Sequence, residues 1–466
     1  MDKKLPLRAK IAYSMGGFGE AMPLNLFNVY FVYFMTDVAG APAALAGTIA
    51  LIGVLWDAIT DPIVGKLSDN CTSPMGRRRA YMCRAIIPLA LFVIMLFTPV
   101  NFTGIAQMAY YVVAALGFWL TLTMWVIPFF AFGAEITTDY NERNTLRTVV
   151  MILENAILIL CTSGPMWVLS WTLNHGGEEA DAWKYTAWIT GAILLITCAV
   201  CVYFTKGWDQ PYQKSENVKT ENLLATFKEL FKIRTFKILT ISMMLALFGL
   251  LLISTNLVYV MNNLARLTPE EQSLFWIVFS VAIMVMLPFA NKLCNSIGKR
   301  EVLMGVAIIQ VIVGIICFFM SLENRIAFYI YIVGLVLCNG CFVAHYVTLS
   351  YDSCEVDEFV NGKRREGSIV ALMSFIQKAG GALAMWVAGL SLTFIGYDGM
   401  AAEQTPEVLS GLNTVITVIP TIFFILATIA LYKYPVTKKN FAALQDALEK
   451  KKAGLAYSTE EFKELL

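Results

Sequence analysis

The sequence predicts an all-α membrane protein whose chain crosses the bilayer many times. Hydrophobic residues make up 58% of the 466 residues, and charged residues make up only 15%. A soluble domain is typically about 45–50% apolar and about 25% charged, so this composition excludes an ordinary soluble fold. Apolar runs of about twenty residues, the length that crosses the hydrocarbon core as a helix, recur along the whole chain.

About twelve such runs can be placed, in two sets of six on either side of the polar stretch 207–235. We therefore expect two six-helix bundles, over 1–206 and 236–434, and a polar cytoplasmic tail over 435–466. The linker 207–235 should contain a short amphipathic helix, because its apolar residues recur at helical spacing. The expected spans are 11–37, 42–66, 81–99, 105–132, 147–173 and 185–206, followed by 236–263, 271–293, 301–321, 325–350, 368–395 and 411–434.

Lysine and arginine are concentrated in the N-terminal segment, in alternate short loops and in the linker. Because basic loops stay on the cytoplasmic side, both termini are predicted to be cytoplasmic. No basic tract is dense enough to predict nucleic-acid binding. Besides the linker, the basic positions are Lys3, Lys4, Arg8, Lys10, Lys66, Arg77, Arg78, Arg79, Arg143, Arg147, Lys299, Arg300, Lys363, Arg364 and Arg365.

Two carboxylates lie inside the second apolar run. Asp57 and Asp61 are four residues apart, so they share one face of a helix at roughly 6 Å. A charge at membrane depth is costly, and two on one face require a proton, a metal cation or a basic residue to neutralise them. A static buried ion pair is one interpretation. A coupling-ion site is the interpretation we favour, because intramembrane charges usually mark ion or substrate pathways.

A basic turn occurs twice, half a chain apart. Lys66-Leu67 leads to Asp69 and then to Gly76 with three arginines, and Lys292-Leu293 leads to Gly298 with Lys299 and Arg300. Positive loop charge alone could produce this pattern. The matching glycine and acid or amide favour an internal repeat of two six-helix halves. We expect a cytoplasmic gate that forms charge pairs in one state and loses them in another, built from Asp69, Arg77, Arg78 and Arg79.

The stretch Trp56-Asp57-Ala58-Ile59-Thr60-Asp61-Pro62 resembles a motif of the major facilitator superfamily, in the glycoside–pentoside–hexuronide:cation symporters of the melibiose permease type. The segments 139–143, 362–367 and 377–381 agree with it. The resemblance implies the two-bundle facilitator fold and cation-coupled symport of a sugar or glycoside-like solute by alternating access. Animal sodium–lysophospholipid symporters resemble the same family, so a lysolipid or similar amphiphile is the alternative solute.

The resemblance also implies a cation site. Asp57 and Asp61 match the cation-binding pair, and Thr123 matches a hydroxyl that helps to bind the ion. Thr60 stands where the melibiose permease has an amide. Lys378 matches a lysine that would balance the two aspartates when no ion is bound. The transported ion would be Na⁺ or H⁺, with Asp57 and Asp61 as the metal ligands, and no other cofactor is expected.

The implied solute site departs from the melibiose type. Positions that are charged in the galactoside permease are apolar here, and its tryptophan is a phenylalanine. Two acids lie close to these positions in the sequence. For Trp125, a place in the site and a packing role both stay open. The candidate substrate-binding residues are Glu20, Ala21, Trp125, Val126, Phe130, Met151 and Glu154.

The sequence predicts a transporter and not an enzyme. It contains no nucleophile–base motif, no His/Cys metal cluster and no sizeable soluble domain. A membrane-embedded enzyme or receptor is the remote alternative. The expected partners are a small-molecule solute, the coupling cation and the lipid bilayer, and we expect a monomer.

Overall fold

The computed structural model describes residues 6–137, 140–208, 223–362 and 366–465. These residues form helices joined by short turns, with no β-strand among them. Eleven of the described helices are long and apolar enough to cross a membrane.

The described residues of the first half form seven α-helices and one π-helical turn. Many of its helices contain an internal proline, including Pro23, Pro62 and Pro88. The helices are α1 Leu7–Met15, α2 Phe18–Tyr33, the π-turn Phe34–Val38, α3 Ala43–Asp69, α4 Arg77–Leu96, α5 Ile105–Glu135, α6 Tyr140–Asn174 and α7 Glu179–Phe204.

In the second half, the part that the structure describes forms the linker helix, six long helices and a helical tail. Thr405 caps one of them, with Pro406 in its first turn, and Gly362 ends another in the left-handed conformation. The helices are α8 Leu223–Leu230, α9 Arg234–Asn263, α10 Pro269–Ile297, α11 Lys299–Met320, α12 Arg325–Asn361, α13 Glu366–Phe394, α14 Pro406–Lys433, α15 Lys438–Lys452 and the 3₁₀ segment Glu460–Leu465.

The first predicted span is not one continuous helix, which corrects the expectation of an unbroken run over 11–37. α1 ends at Met15 and α2 begins at Phe18. The N–H groups of Gly16 and Gly17 bond three residues back, to Tyr13 and Ser14, at 2.8 and 3.0 Å. This tighter turn interrupts the α-helical ladder. The broken α1–α2 segment is therefore not one of the eleven long spans.

The contacts group the chain into two compact units. Unit 1 comprises Met1–Glu216, Leu267–Ser280 and Ala388–Gln404. Within it, α4 packs on α5 and α7, α3 packs on α5, and α2 packs on α6. Helices approach closely where one side is a glycine, as Gly117 does against Phe92.

Unit 2 comprises Asn217–Arg266, Val281–Val387 and Thr405–Leu466. Within it, α14 packs on α9 and α11, and α11 packs on α12. The tail helix α15 lies against the end of α12, where Lys452 pairs with Glu358 at 2.7 Å. α8 lies where the sequence predicts an amphipathic linker helix. The predicted bundle boundaries at 206, 235 and 434 stay predictions.

The two units repeat one packing pattern, which supports the internal repeat. α4 contacts α5 and α7 in unit 1 as α11 contacts α12 and α14 in unit 2. The residue before α4 is Gly76, with φ 91° and ψ 148°, and the residue before α11 is Gly298, with φ 113° and ψ 146°. Glycine is favoured at both positions because this positive φ is strained for other residues.

Candidate functional site

The predicted cation site is centred on α3 in unit 1. Asp57 is only 2% exposed and Asp61 is half-buried, one helical turn further on. Pro62 follows directly and lacks the N–H that would close the helical hydrogen bond to Ala58. The helix therefore carries two acids on one face at a point where its own backbone bonding is interrupted.

Thr123 of α5 brings the two acids together. Its Oγ1 donates to Asp57 Oδ1 at 2.7 Å and lies 3.2 Å from Asp61 Oδ1. Thr60 Oγ1 lies 3.4 Å from Thr123 Oγ1 and bonds to the Asp57 carbonyl at 3.1 Å. All four residues that the sequence singled out for the cation site thus lie in one cluster, in which Asp57, Thr60 and Thr123 are buried and Asp61 is half-buried.

The donor set of this cluster consists of carboxylate and hydroxyl oxygens. Such oxygens suit hard cations, whereas imidazole and thiolate select transition metals. Within the described ranges, no three or more His, Cys, Asp or Glu side chains gather in a geometry for a metal ion. The donor set of this cluster therefore suits a hard cation or a proton.

Helix packing explains why α3 and α5 approach so closely here. One turn before Asp57, Gly53 faces the indole of Trp119, and a Cβ on Gly53 would come within 2.5 Å of that ring. Trp119 is itself one turn before Thr123. The two helices therefore meet along two successive layers, and the sequence analysis missed the first of them, Gly53 with Trp119.

Lys378 lies on α13 in unit 2 and is half-buried. Its role as the counter-charge of the aspartates stays a prediction.

The two acids of the predicted solute site lie near the break in the first helix. Glu20 is half-buried in the first turn of α2, and Ala21 beside it is buried. The Cγ of Glu154, on α6, is 3.5 Å from the place that a Cβ on Gly17 would occupy. Met151, one turn before Glu154, is exposed.

The aromatic candidates on α5 differ in accessibility. Trp125 is 0% exposed, and its Nε1 donates to the Gly16 carbonyl at 3.0 Å. Phe130 is 38% exposed, and Val126 is half-buried. The contacts of Trp125 describe packing, which was one of its two alternatives, whereas Phe130 is partly exposed. Binding roles for these residues stay predictions.

The predicted gate forms an ion-pair network at the other end of α3. Arg77 Nη2 donates to Glu135 Oε1 at 2.8 Å, and Arg78 Nε donates to the same oxygen at 3.1 Å. Arg78 also pairs with Asp69 and donates to Ser68 Oγ at 3.0 Å. Glu135 Oε1 thus accepts hydrogen bonds from two arginines of the predicted gate.

Arg79 has a different set of hydrogen bonds. Its Nε donates to the Val202 carbonyl on α7 at 3.1 Å, and its Nη1 donates to the Met75 carbonyl at 3.1 Å. The side chain is buried. Arg79 therefore ties the start of α4 to the end of α7, which is a contact that the sequence did not predict.

At the end of α3 opposite to Asp69, the segment 388–404 contacts the start of that helix. Tyr397 OH donates to Asp37 Oδ1 at 2.6 Å, and the Ala44 N–H donates to Thr393 Oγ1 at 3.0 Å. A Cβ on Gly389 would lie 2.3 Å from the Ala43 carbonyl, so the helices touch backbone to backbone. No local pattern in the sequence signals these contacts, because their partners are some 350 residues apart.

Comparison with known proteins agrees with this fold. Residues 12–438 match the family model described as MFS/sugar transport protein. The chain is 28% identical over 454 residues to the uncharacterised symporter YnaJ of Bacillus subtilis, covering 96% of each chain. It is 24% identical to the isoprimeverose transporter of Lactiplantibacillus pentosus, covering 96% of this chain and 92% of the relative.

A solved structure has the same architecture. A mutant form of the nucleoside transporter NupG superposes with a TM-score of 0.69 at 13% identity, covering 91% of this chain and 99% of that one. The resemblance to major facilitator symporters and the all-α facilitator fold are thus confirmed. The chain belongs to the MFS/sugar transport protein family and is a multi-pass membrane transporter, not an enzyme.

Proposed function

We propose that this protein is a secondary active transporter that couples the entry of Na⁺ to the uptake of a sugar or glycoside-like solute by alternating access. The observation that carries the proposal is the convergence of Asp57, Asp61 and Thr123 across two helices. Two acids on one face of a membrane helix need a positive partner, and oxygen ligands favour a hard cation.

The cation would act by drawing α3 and α5 together. With no ion bound, the two carboxylates repel each other and hold one hydroxyl between them. A bound Na⁺ would take those oxygens as ligands and neutralise part of their charge. A proton on one carboxylate would also reduce the repulsion, so protons should compete with the cation. By linkage, if the bound ion favours the arrangement that takes the solute, the solute must favour ion binding by the same factor.

The proposed solute is a largely neutral sugar derivative with an apolar part. The family description and the name of the isoprimeverose relative support a sugar. The positions that are charged in the galactoside permease and bind its sugar are Ala21, Val126 and Met151 here. Melibiose would therefore lack its charged hydrogen-bonding partners. Phe130 offers an exposed ring that could contact an aglycone. The acids Glu20 and Glu154 disfavour a strongly anionic solute.

We also place the transporter in the bacterial inner membrane with both termini in the cytoplasm, working as a monomer. The loop distribution of Lys and Arg supports this orientation.

The direct test is uptake into proteoliposomes under an imposed sodium gradient. The solutes would be isoprimeverose, an aryl glycoside, melibiose, a hexuronate and lysophosphatidylcholine, each with sodium and with choline outside. We expect sodium-driven accumulation of isoprimeverose or the aryl glycoside and little melibiose uptake. Uptake of lysophosphatidylcholine alone would replace the sugar with an amphiphile, and accumulation independent of both sodium and proton gradients would contradict the coupling.

A binding test needs no solute. Sodium at roughly a hundredfold excess over its Kd should stabilise the purified protein by about 2.7 kcal/mol. Asp61→Asn should abolish this stabilisation, because it discards one of the two charges at the site. The matched control is Asp69→Asn, at the exposed end of the same helix, which should keep the sodium effect. A full sodium effect in Asp61→Asn would move the cation site elsewhere.

A further inference from the structure

We propose that Trp125 is a positioning residue that links the cation site to the break in the first helix. The proposal rests on the cation-coupled function above and extends it to a second place in unit 1. In this proposal, ion binding at α3 is transmitted through α5 to the turn between α1 and α2, next to the candidate solute residues.

α5 contacts two structures with two different faces. One face contacts α3. On it, Thr123 hydrogen-bonds to the carboxylates, and Trp119, one turn earlier, packs against Gly53. Trp125 and Phe129, also one turn apart, contact the α1–α2 break. Because each residue advances about 100° around a helix, Thr123 and Trp125 point to nearly opposite sides. A movement of α5 toward α3 would therefore also change the contacts of α5 with the α1–α2 break.

The break depends on α5 for part of its hydrogen bonding. In an unbroken helix the Gly16 carbonyl would accept from the N–H of Glu20, but that N–H donates to Gly17 O at 3.2 Å. The Gly16 carbonyl instead accepts from Gly19 N at 3.0 Å and from the indole of Trp125 at 3.0 Å. A buried carbonyl is costly to leave without a donor, so Trp125 stabilises the broken form of the helix.

The indole of Trp125 packs tightly against the backbone of α2. A Cβ on Gly19 would lie 2.2 Å from Trp125 Nε1, so the ring rests directly on the α2 backbone. On the other side of the break, Tyr13 OH donates to the Phe129 carbonyl at 3.1 Å, and the two rings stack with centroids 4.6 Å apart. α5 thus holds the end of α1 and the start of α2 together.

The break lies where the proposed solute site begins. Glu20 follows Gly17 by less than one turn, and the Cγ of Glu154 packs beside Gly17. A small rotation of the turn would change the position of Glu20 relative to Glu154. Trp125 would in this way act on the solute through the helix that carries Glu20, without touching the solute itself.

The test is hydrogen exchange of the full-length purified protein, with sodium chloride or choline chloride as the only ligand. In the wild type, sodium should slow exchange both in α3 and in the amides of residues 16–21. We expect about a fivefold slowing at the break, which corresponds to strengthening one buried hydrogen bond. Trp125→Phe keeps an aromatic ring but removes the N–H, so the slowing at 16–21 should vanish while the slowing in α3 remains.

Two further variants separate linkage from simple destabilisation. Trp183→Phe is the matched control, because Trp183 is also fully buried but lies on α7 in an aromatic cluster with Phe97 and Tyr30. It should keep both sodium effects. Gly19→Ala pushes the indole away from the α2 side and should behave like Trp125→Phe.

The outcomes distinguish the two proposals. Sodium protection in α3 of the wild type, with none at 16–21, would overturn the role of Trp125 and leave the cation site intact. Unchanged protection of 16–21 in both Trp125→Phe and Gly19→Ala would overturn it as well. If sodium protects neither region in the wild type, the proposed sodium coupling and this inference both fail.

Discussion

The second membrane span is α3 in the first half of the chain and α10 in the second half. These two helices share a proline and a following basic turn, but only α3 has two carboxylates in the two turns before the proline. Alignment of Pro62 with Pro288 also aligns Lys66-Leu67 with Lys292-Leu293. In this register, Asp57 and Asp61 fall on Ile283 and Leu287. The proline and the basic turn are shared between the halves, whereas the carboxylates belong to one half alone.

This difference separates the residues that build the helix junction from the residues that are proposed to bind the cation. The glycine caps Gly76 and Gly298 and the basic first turns recur because both halves build the same helix junction. The positions of α10 that match Asp57 and Asp61 are apolar, so the helix junction does not depend on these two carboxylates. Under the proposed function, the bound cation offsets the cost of these carboxylates at membrane depth.

The largest effect should follow from replacing Asp61 of α3 with leucine, the residue at the matching position of α10. Asp61→Leu should lower sodium-driven uptake by roughly a hundredfold or more, because one charge and its ligand oxygens are lost. The ion-free protein should be as stable as the wild type or more stable, since an apolar residue replaces a like charge. Uptake assays with thermal unfolding in choline measure both. A sodium-free protein that is much less stable would show that Asp61 serves the fold.

The reverse exchange tests α10. Leu287→Asp places a carboxylate at an apolar position of a membrane helix, and we expect a loss of about 3 kcal/mol in the free energy of unfolding. Leu287→Asn is the uncharged control and should cost less. Chemical or thermal unfolding in detergent gives the values. Wild-type stability for Leu287→Asp would mean that α10 also tolerates an acid, and the contrast between the halves would weaken.

The basic turns should differ in strength. Arg78 is buried and contacts Asp69, Ser68 and Glu135, whereas Lys299 pairs with Asp352 at 2.7 Å and is about one-third exposed. Arg78→Gln should destabilise by about 2 kcal/mol and Lys299→Gln by about 1 kcal/mol, because a partly exposed pair is screened by solvent. The measurement is unfolding at low and high salt. Equal losses would show that the two turns are equivalent.

The smallest effects concern the hydroxyls of the cation site. Thr123→Ala removes a donor that reaches both carboxylates, and sodium affinity should fall about fivefold. Thr60→Ala should lower it only about twofold, because Thr60 Oγ1 bonds mainly to its own helix backbone. Thr→Ser at each position is the matched control and should restore affinity. Sodium titrations of thermal stability report the order, and a larger loss at Thr60 would reverse the assignment.

Much of the fold followed from sequence because membrane helices are specified locally. Length, hydropathy and the positions of glycine and proline determine each span with little help from its neighbours. The same local logic brought Asp57 and Asp61 onto one face. Thr123 came only from resemblance to a family, since nothing in the α5 sequence itself pairs it with α3.

Apart from the break in the first helix, the features that sequence reasoning missed depend on contacts between distant segments. Two adjacent glycines at 16 and 17 were a visible signal for a break, but the run around them is apolar enough to suggest one helix. The bonds of Arg79 to the Val202 carbonyl and of Tyr397 to Asp37 have no local signature. An arginine in a basic turn indicates charge pairing just as readily as a backbone contact.

The make-up of unit 1 has a consequence for how the chain is assembled. Unit 1 includes Leu267–Ser280 and Ala388–Gln404, so contacts such as Gly389 on Ala43 and Tyr397 on Asp37 join its earliest and latest parts. During synthesis the first helices enter the membrane long before residue 404 leaves the ribosome. Their surface at Asp37–Gly47 stays uncovered until residues 388–404 have been made. Contacts between segments so far apart in the chain form slowly. Nearly the whole chain must be inserted before the unit made first can be completed.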